Sequence, residues 1–544
     1  MRCRCPGWQR HWLGKRMNRR LAILLPCCLL LIVMVACAQT TTQIVYVTAT
    51  PLFVTALPND EPTLPNPFKP TPTPSGPTAT PLVVTPNPTF PPTPSTTTHN
   101  VAAGDTLSSL AALYGTSVEE ILKLNPSVNQ TTTLQVGQTL TMPGRPTQET
   151  PNTKLIPDSE LVNSPSVTGF DVAAYIKFQP GFIRVYSEDV FGRRMSGADI
   201  IRFVANSTSV NPRLLLALLE YRSGWITNPV PSDSKMLYPM GFVTNCSPNL
   251  FQQLNCAANT LNAGYYSYKH RGVTFLQFKD DSRLAYAPEL NPGTTAVQYY
   301  LARTASDRAS WLVDVSRAGF FTTYMALFGD PFRYAVEPLI PPDLQQPTLT
   351  LPFGQGEVWY LTSGPHGGWD ANFSSWAAID LAPPSPPDDV LASQGYCYVS
   401  SYYITSMAEG LVVRSSDGVV VVDLDLDGDE RTGWTLVYLH IASADSVKAG
   451  TRVQPGTRLG HPSCEGFYTN STATHTHISR RYNGEWIPAD CWACPPGVAA
   501  PPFVMGGWQV HGYPNQVYQG YLQKGEQVVR AEQGRDDPSN QISW

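Results

Sequence analysis

The stretch TATHTHISRRYNGEW, residues 472–486, sets His475 and His477 two apart in an extended run that ends at Asn483-Gly484. Residues at i and i+2 of a strand point to one face, so the two imidazoles converge. Two convergent imidazoles make half of a tetrahedral metal site. Upstream stand His366 in SGPHGGW, Asp380 in WAAIDLAPP and His440 in WTLVYLH. The chain has only nine histidines, and four of them fall in this group with one carboxylate. That economy points to hydrolytic zinc chemistry.

Around this stretch, from about residue 351, the sequence alternates apolar and polar residues between turn signals. Asp417-Gly418 and Asn483-Gly484 are two such turns. The pattern predicts antiparallel β structure, in which strands or strand ends hold the histidines. The region 350–500 resembles the lysostaphin-type (β-lytic) zinc metalloendopeptidases that cut peptidoglycan peptides. VKAGTRVQPGTRLG (447–460) matches that family's lipoyl-like hairpin.

The resemblance implies a lipoyl/hybrid-motif-like β sandwich with one Zn2+ per chain. His366, Asp380 and His477 would be the metal ligands, and His440 and His475 the catalytic residues. The separation of His366 from Asp380 is longer than in the compact H-x-x-x-D members, as in the β-lytic branch. Asp370, at literal H-x-x-x-D spacing in HGGWDANFSSW, is the rival ligand. Two imidazoles and a carboxylate leave a fourth tetrahedral position for water, whose pKa zinc lowers to roughly 7.

The 544 residues allow two to four domains. A basic segment with Arg19 and Arg20 precedes the apolar run 21–36, as in an export signal. Met34-Val35-Ala36-Cys37 resembles a bacterial lipobox, with Met34 where leucine is usual, so Cys37 is the expected lipidation site. An uncleaved signal anchor is the alternative, since the run approaches the roughly 20 residues of a membrane span. Either way residues 1–37 are signal, and the protein belongs to the cell envelope, tethered to the outer face of the cytoplasmic membrane.

Residues 38–98 are Thr/Pro-rich, an extended stalk without a core. Residues 99–143 read as strand, two helices, strand, with Thr106 capping the first helix and Ser117/Glu120 boxing the second. This βααβ pattern resembles the LysM module, which binds N-acetylglucosamine glycans such as peptidoglycan or chitin. By that resemblance Gly104, Asp105, Thr106 and the neighbourhood of Asn125 line the glycan groove. Turn and cap chemistry would also account for Asp105 and Thr106.

After a second linker, 144–165, residues 166–345 read as an all-α domain. VNPRLLLALLEYRSGWIT (210–227) resembles the lysozyme-like lytic transglycosylases, but Arg222 stands where that family carries its catalytic acid. Glu220 lies about 200° around the helix from position 222 and faces elsewhere. The domain is therefore expected to be catalytically inactive.

Six cysteines follow the signal region, an even number that suits disulfides in an oxidising compartment, with Cys246 and Cys256 a local pair. Cys491 and Cys494 have no βαβ context, so bridging is expected rather than redox chemistry. DLDLDGDE (423–430) resembles a Ca2+ loop, yet its twelfth position is Trp434 instead of a bidentate glutamate. A solvated acidic tip without calcium is the expectation. Residues 501–544 read as an added hairpin, with 527–529 covering a sheet edge.

With net charge -5 and pI near 6.0, composition gives no support for nucleic-acid partners. The combined reading is a peptidoglycan hydrolase whose partners are glycan, stem peptides and the membrane. Its alternative is a non-enzymatic wall scaffold or an activator of other hydrolases.

Overall fold

The computed structural model describes residues 96–544 except 103–104, 115, 117, 130–132, 145–147, 370–373, 467–472, 496, 499, 515 and 533–536. The signal segment with Cys37, nearly all of the stalk, Gly104, Ser117 and Asp370 lie outside the described residues. No helix among the described residues is long and apolar enough to cross a membrane.

The protein is multidomain, with a LysM module and an antiparallel all-β C-terminal region. In the first domain β1 (Thr96–Asn100) pairs antiparallel with β2 (Thr139–Pro143), and helices Leu107–Tyr114 and Val118–Leu124 lie between them in sequence. Leu110, Ile121, Leu140 and Met142 form its core at 1% exposure or less. The βααβ order is as expected.

The middle domain is mainly helical. Its helices Gly197–Thr208, Pro212–Ser223, Leu250–Arg271 and Pro292–Thr304 pack around apolar residues such as Leu215, Leu254 and Val297. The all-α expectation needs correcting, because two small hairpins are present. One joins β3 (Ser187–Val190) to β4 (Arg193–Ser196), the other β5 (Phe275–Gln277) to β6 (Arg283–Ala285). The expected second linker also needs correcting. Leu155, Ile156, Leu161 and Val162 are fully buried in this domain's core, so the segment before residue 166 is core rather than spacer.

The C-terminal region carries β7 (Trp359–His366), β8 (Ala378–Ala382), β9 (Ile404–Thr405), β10 (Gly410–Ser416), β11 (Val419–Asp423), β12 (Trp434–Leu439), β13 (Arg452–Val453), β14 (Arg458–Gly460), β15 (Thr476–Tyr482) and β16 (Glu485–Trp486). Then come β17 (Val504–Met505), β18 (Trp508–Tyr513), β19 (Gln516–Lys524), β20 (Gln527–Arg530) and β21 (Gln541–Ile542). The main sheet runs β13-β10-β11-β12-β15-β8-β7-β21, with β16 folded back on β15.

Strand β11 is Val-Val-Val-Val-Asp, and all five residues are buried. A strand buried along its whole length has both faces covered. Val420 and Val422 face a core of sheet and C-terminal residues, whereas Val419 and Val421 belong to the core shared with the helical domain. The helical domain is thus docked on one face of the sheet.

Two further expectations change. Residues 501–544 are no appendage, since Phe503, Met505, Leu522 and Ile542 are buried in the sheet's second core. The strand at the β7 edge is β21, paired Ile542 to Trp359, while residues 527–529 pair with β19. Disulfides join Cys246 to Cys256, Cys397 to Cys464 and Cys491 to Cys494.

Candidate metal centre

Register brings the expected ligands together. His477 stands opposite Leu439 on one side and Asp380 on the other, and Asp380 opposite Ser363. Directly opposed residues project to the same face, which here is the face bearing the helical domain. His366 reaches the group from β7 through a register shift between Ser363 and His366. Such a bulge re-aims a side chain that regular pleating would misdirect.

Nε2 of His366, Nδ1 of His477 and Oδ1 of Asp380 form a triangle with sides of 2.9, 3.2 and 3.3 Å. Ligands about 2.0–2.1 Å from a tetrahedral zinc lie about 3.3 Å apart. The triangle is close to that size. Asp380 Oδ1 is buried and accepts no hydrogen bond of ordinary geometry. An orphaned buried carboxylate oxygen is costly without a cation, so the donor set fits a metal.

The remaining ring nitrogens are held by main chain. His366 Nδ1 lies 2.9 Å from the Gly364 carbonyl, and His477 Nε2 3.0 Å from that of Gly368. A proton on each of these atoms leaves the opposite nitrogen with its lone pair toward the cluster. Burial raises the Asp380 carboxyl, but the imidazoles of His366 and His475 outweigh it and hold the group well below the usual carboxylate range. Burial lowers His477 despite Asp380 beside it, and the neutral ring that results is the ligating form.

His440 and His475 flank the triangle. His440 follows the end of β12 with φ +63°, a left-handed conformation that a non-glycine residue holds only when its surroundings impose it. They do: its Nδ1 is 2.9 Å from the Glu465 carbonyl, and its own carbonyl accepts from Ser463 N–H at 2.7 Å. Gly418 permits that approach, because a Cβ there would sit 2.5 Å from the Glu465 carbonyl carbon. His475 Nδ1 is 2.9 Å from the Ala473 carbonyl, and its Nε2 lies 3.7 Å from Asp380 Oδ1. Burial, then His475 and His477, push His440 down to about 3. It rests neutral.

Sequence reasoning missed Tyr518. From β19 its ring stacks on His366 at 4.6 Å between centroids and 28° between planes. A close approach of backbones allows this, since a Cβ on Gly364 would lie 2.5 Å from the Gln519 carbonyl carbon. The nearest signal was the aromatic run Tyr513, Tyr518, Tyr521, which has no partner pattern in the sequence.

The other candidates are placed elsewhere. Arg222 pairs with Asp314 at 3.0 Å and donates to Thr304 Oγ1 at 2.6 Å. Glu220 accepts from the backbone N–H groups of Ile226 and Thr227 at 2.8 and 3.1 Å, so it braces a turn. In the first domain Asn125 spans Ile121 O at 2.8 Å and the Thr141 main chain at 2.6 and 2.8 Å. Asp105 Oδ2 accepts from Ala102 N–H and lies 2.7 Å from His99 Nε2. Both side chains thus also brace the module's own framework. The acidic tip is corrected in part, because Asp423 is buried and its carboxylate accepts from Asp425 N–H and Gly428 N–H at 3.2 and 2.9 Å.

Comparison with known proteins fits this layout. Residues 99–143 match the LysM domain family. Residues 154–342 match the family described as LasA, N-terminal domain, so the helical domain begins where its buried segment begins. An endolysin of Bacillus phage B103 is 32% identical over 90 residues, 16% of this chain and 34% of that protein. The chain thus spans about a third of the length of that curated relative.

Among solved structures, the M23 metalloprotease pseudoalterin from the deep sea aligns at 20% identity over 34% of this chain and 96% of that one, TM-score 0.26. The catalytic domain of lysostaphin from Staphylococcus simulans aligns at 17% over 24% and 87%, TM-score 0.16. At these scores neither alignment adds weight to the reading of the site.

Proposed function

We propose that the protein is a cell-envelope peptidoglycan hydrolase whose C-terminal domain is a zinc-dependent endopeptidase acting on stem or cross-bridge peptides. The observation that carries this is the triangle of His366 Nε2, Asp380 Oδ1 and His477 Nδ1 around an oxygen that no donor satisfies. A zinc ion there would supply Lewis acidity to a water and to the scissile carbonyl.

The chain's own groups do the rest. His440 and His475, turned by their Nδ1 hydrogen bonds, present Nε2 to take a proton from the attacking water and return it to the leaving amine. Protonated, either imidazole also stabilises the tetrahedral oxyanion.

The LysM domain supports a wall substrate, because a glycan anchor raises the local concentration of the polymer to be cut. By the LysM resemblance, the glycan groove would lie at Gly104, Asp105, Thr106 and the neighbourhood of Asn125. The middle domain is a non-catalytic module, as Arg222 and Glu220 are both engaged in packing. Attachment by lipidated Cys37 or by a signal anchor keeps the enzyme at the outer face of the membrane.

The test is digestion of purified sacculi by the wild type and His477→Ala, with muropeptide analysis. New free amines with wild type alone are expected. Equal product patterns, or new reducing ends without new amines, would sink the endopeptidase reading and favour the scaffold.

A further inference from the structure

The second half of the opening stretch, Tyr482-Asn483-Gly484-Glu485-Trp486, leaves the histidine strand and enters the helical domain. Ser209 Oγ donates to the Gly484 carbonyl at 2.6 Å, and a Cβ on Gly484 would lie 2.1 Å from the Asn163 carbonyl oxygen. Glu485 is buried between Lys269 Nζ at 2.6 Å and the Tyr265 hydroxyl at 3.1 Å. Trp486 N–H donates to the Tyr266 hydroxyl at 3.0 Å, and its indole N–H to the Thr208 carbonyl at 3.2 Å. Every residue from 484 to 486 is thus fixed by the helical domain.

Trp486 also touches the metal centre's support. Its ring lies flush on Gly368, where a Cβ would come within 2.5 Å of ring carbon Cε3. The carbonyl of Gly368 accepts from Ser479 Oγ at 3.2 Å and faces His477 Nε2 at 3.0 Å. A second contact lies close by: Gly368 N–H donates to the Ser374 carbonyl at 3.0 Å, and His270 Nδ1 of the long helix is 2.6 Å from the Oγ of the next residue, Ser375, which like Trp376 has positive φ. Hydrogen bonds behind a ligand imidazole fix its tautomer and ring plane, and their loss typically weakens metal binding about 10–100-fold.

We infer that the helical domain is a working part of the metal centre. Through Trp486 it presses Gly368 into the position from which the Gly368 carbonyl holds His477 with Nδ1 toward the metal. Trp486 is a positioning residue and touches no reacting atom. This inference rests on the proposed zinc site. It differs from a mere docking role because it ties one interdomain side chain to metal affinity.

The test is zinc affinity of the full chain, measured with zinc alone in competition with a chromogenic chelator. Trp486→Ala and Gly368→Ala should each weaken zinc about 10–100-fold. Trp486→Phe, which keeps a smaller aromatic ring and loses the bond to Thr208, should fall between them and wild type. Arg431→Ala removes a remote interdomain contact, to the carbonyls of Val167 and Thr168, and should leave zinc affinity unchanged. Gly368→Ala serves if Trp486→Ala fails to fold. Wild-type affinity in folded Trp486→Ala or Gly368→Ala would overturn the inference while leaving the zinc site standing, as would equal weakening by Arg431→Ala. Failure of the wild type to take up zinc would overturn the site and the inference with it.

Discussion

The rings of His440 and His475 lie with centroids 4.6 Å apart and planes tilted by 52°, each with Nδ1 tied to a main-chain carbonyl. Neither carbonyl belongs to a metal ligand. Substituting either histidine therefore removes a proton carrier while leaving the triangle intact. His440→Ala and His475→Ala should each lower kcat by about 10²–10⁴-fold and retain a full equivalent of zinc. His477→Ala should lose zinc. Loss of metal from His440→Ala would show that the proposed division of roles is wrong.

Asp380 pairs in register with His477 on the central sheet and sits within 3.3 Å of both ligand nitrogens. Asp380→Ala should abolish stoichiometric zinc. Asp370→Ala should keep its zinc. Metal content of the two variants by elemental analysis decides between the carboxylates, and the reverse result would return Asp370 to the site.

How the site was readable follows from these registers. His475, His477 and Asp380 were legible because period-2 patterning fixes the face of a strand residue, and because short apolar flanks mark buried strands. Contacts across long sequence separations were not. Gly368 meets Trp486, and His366 meets Tyr518, over more than a hundred residues, and no local pattern announces such encounters. The hairpin Asn483-Gly484 was visible as a turn, but a turn signal carries no information about what it plugs into. In the helical domain, buried Leu155 and Ile156 looked like linker because they lie between prolines and polar residues. Their burial comes from tertiary packing, including the hydrogen bond from Leu155 N–H to Thr294 Oγ1 at 3.0 Å.

Tyr518 makes the C-terminal strands part of the centre. Its φ of +69° holds the ring over His366, so the stack is imposed by the backbone. Tyr518→Ala should weaken zinc by roughly 10-fold by freeing the His366 ring, whereas Tyr518→Phe keeps the stack and should bind as wild type. A drop in kcat for Tyr518→Phe at unchanged zinc affinity would instead assign work to the hydroxyl. Zinc competition and steady-state kinetics on the two variants separate these outcomes.

The acidic hairpin sets a pH dependence away from the metal. Burial, together with the Asp425 carboxylate beside it, pushes Asp423 up to about 7. The sign follows from proton counts: between about pH 4 and 7 the folded chain keeps a proton that the unfolded chain has released. Stability from this residue is therefore full below pH 4 and falls as pH rises toward 7. Asp425→Asn removes the neighbouring charge, and as Asp425 is exposed the gain should be discounted to about 1 kcal/mol at pH 8, with none at pH 4. Denaturant unfolding at the two pH values in calcium-free buffer measures it. Added calcium should leave the wild-type midpoint unchanged, because the loop lacks the late bidentate ligand of a calcium site. A calcium-dependent rise that Asp425→Asn abolishes would instead make the cluster of Asp423, Asp425 and Asp427, whose oxygens lie within 4.8 Å of one another, a cation site.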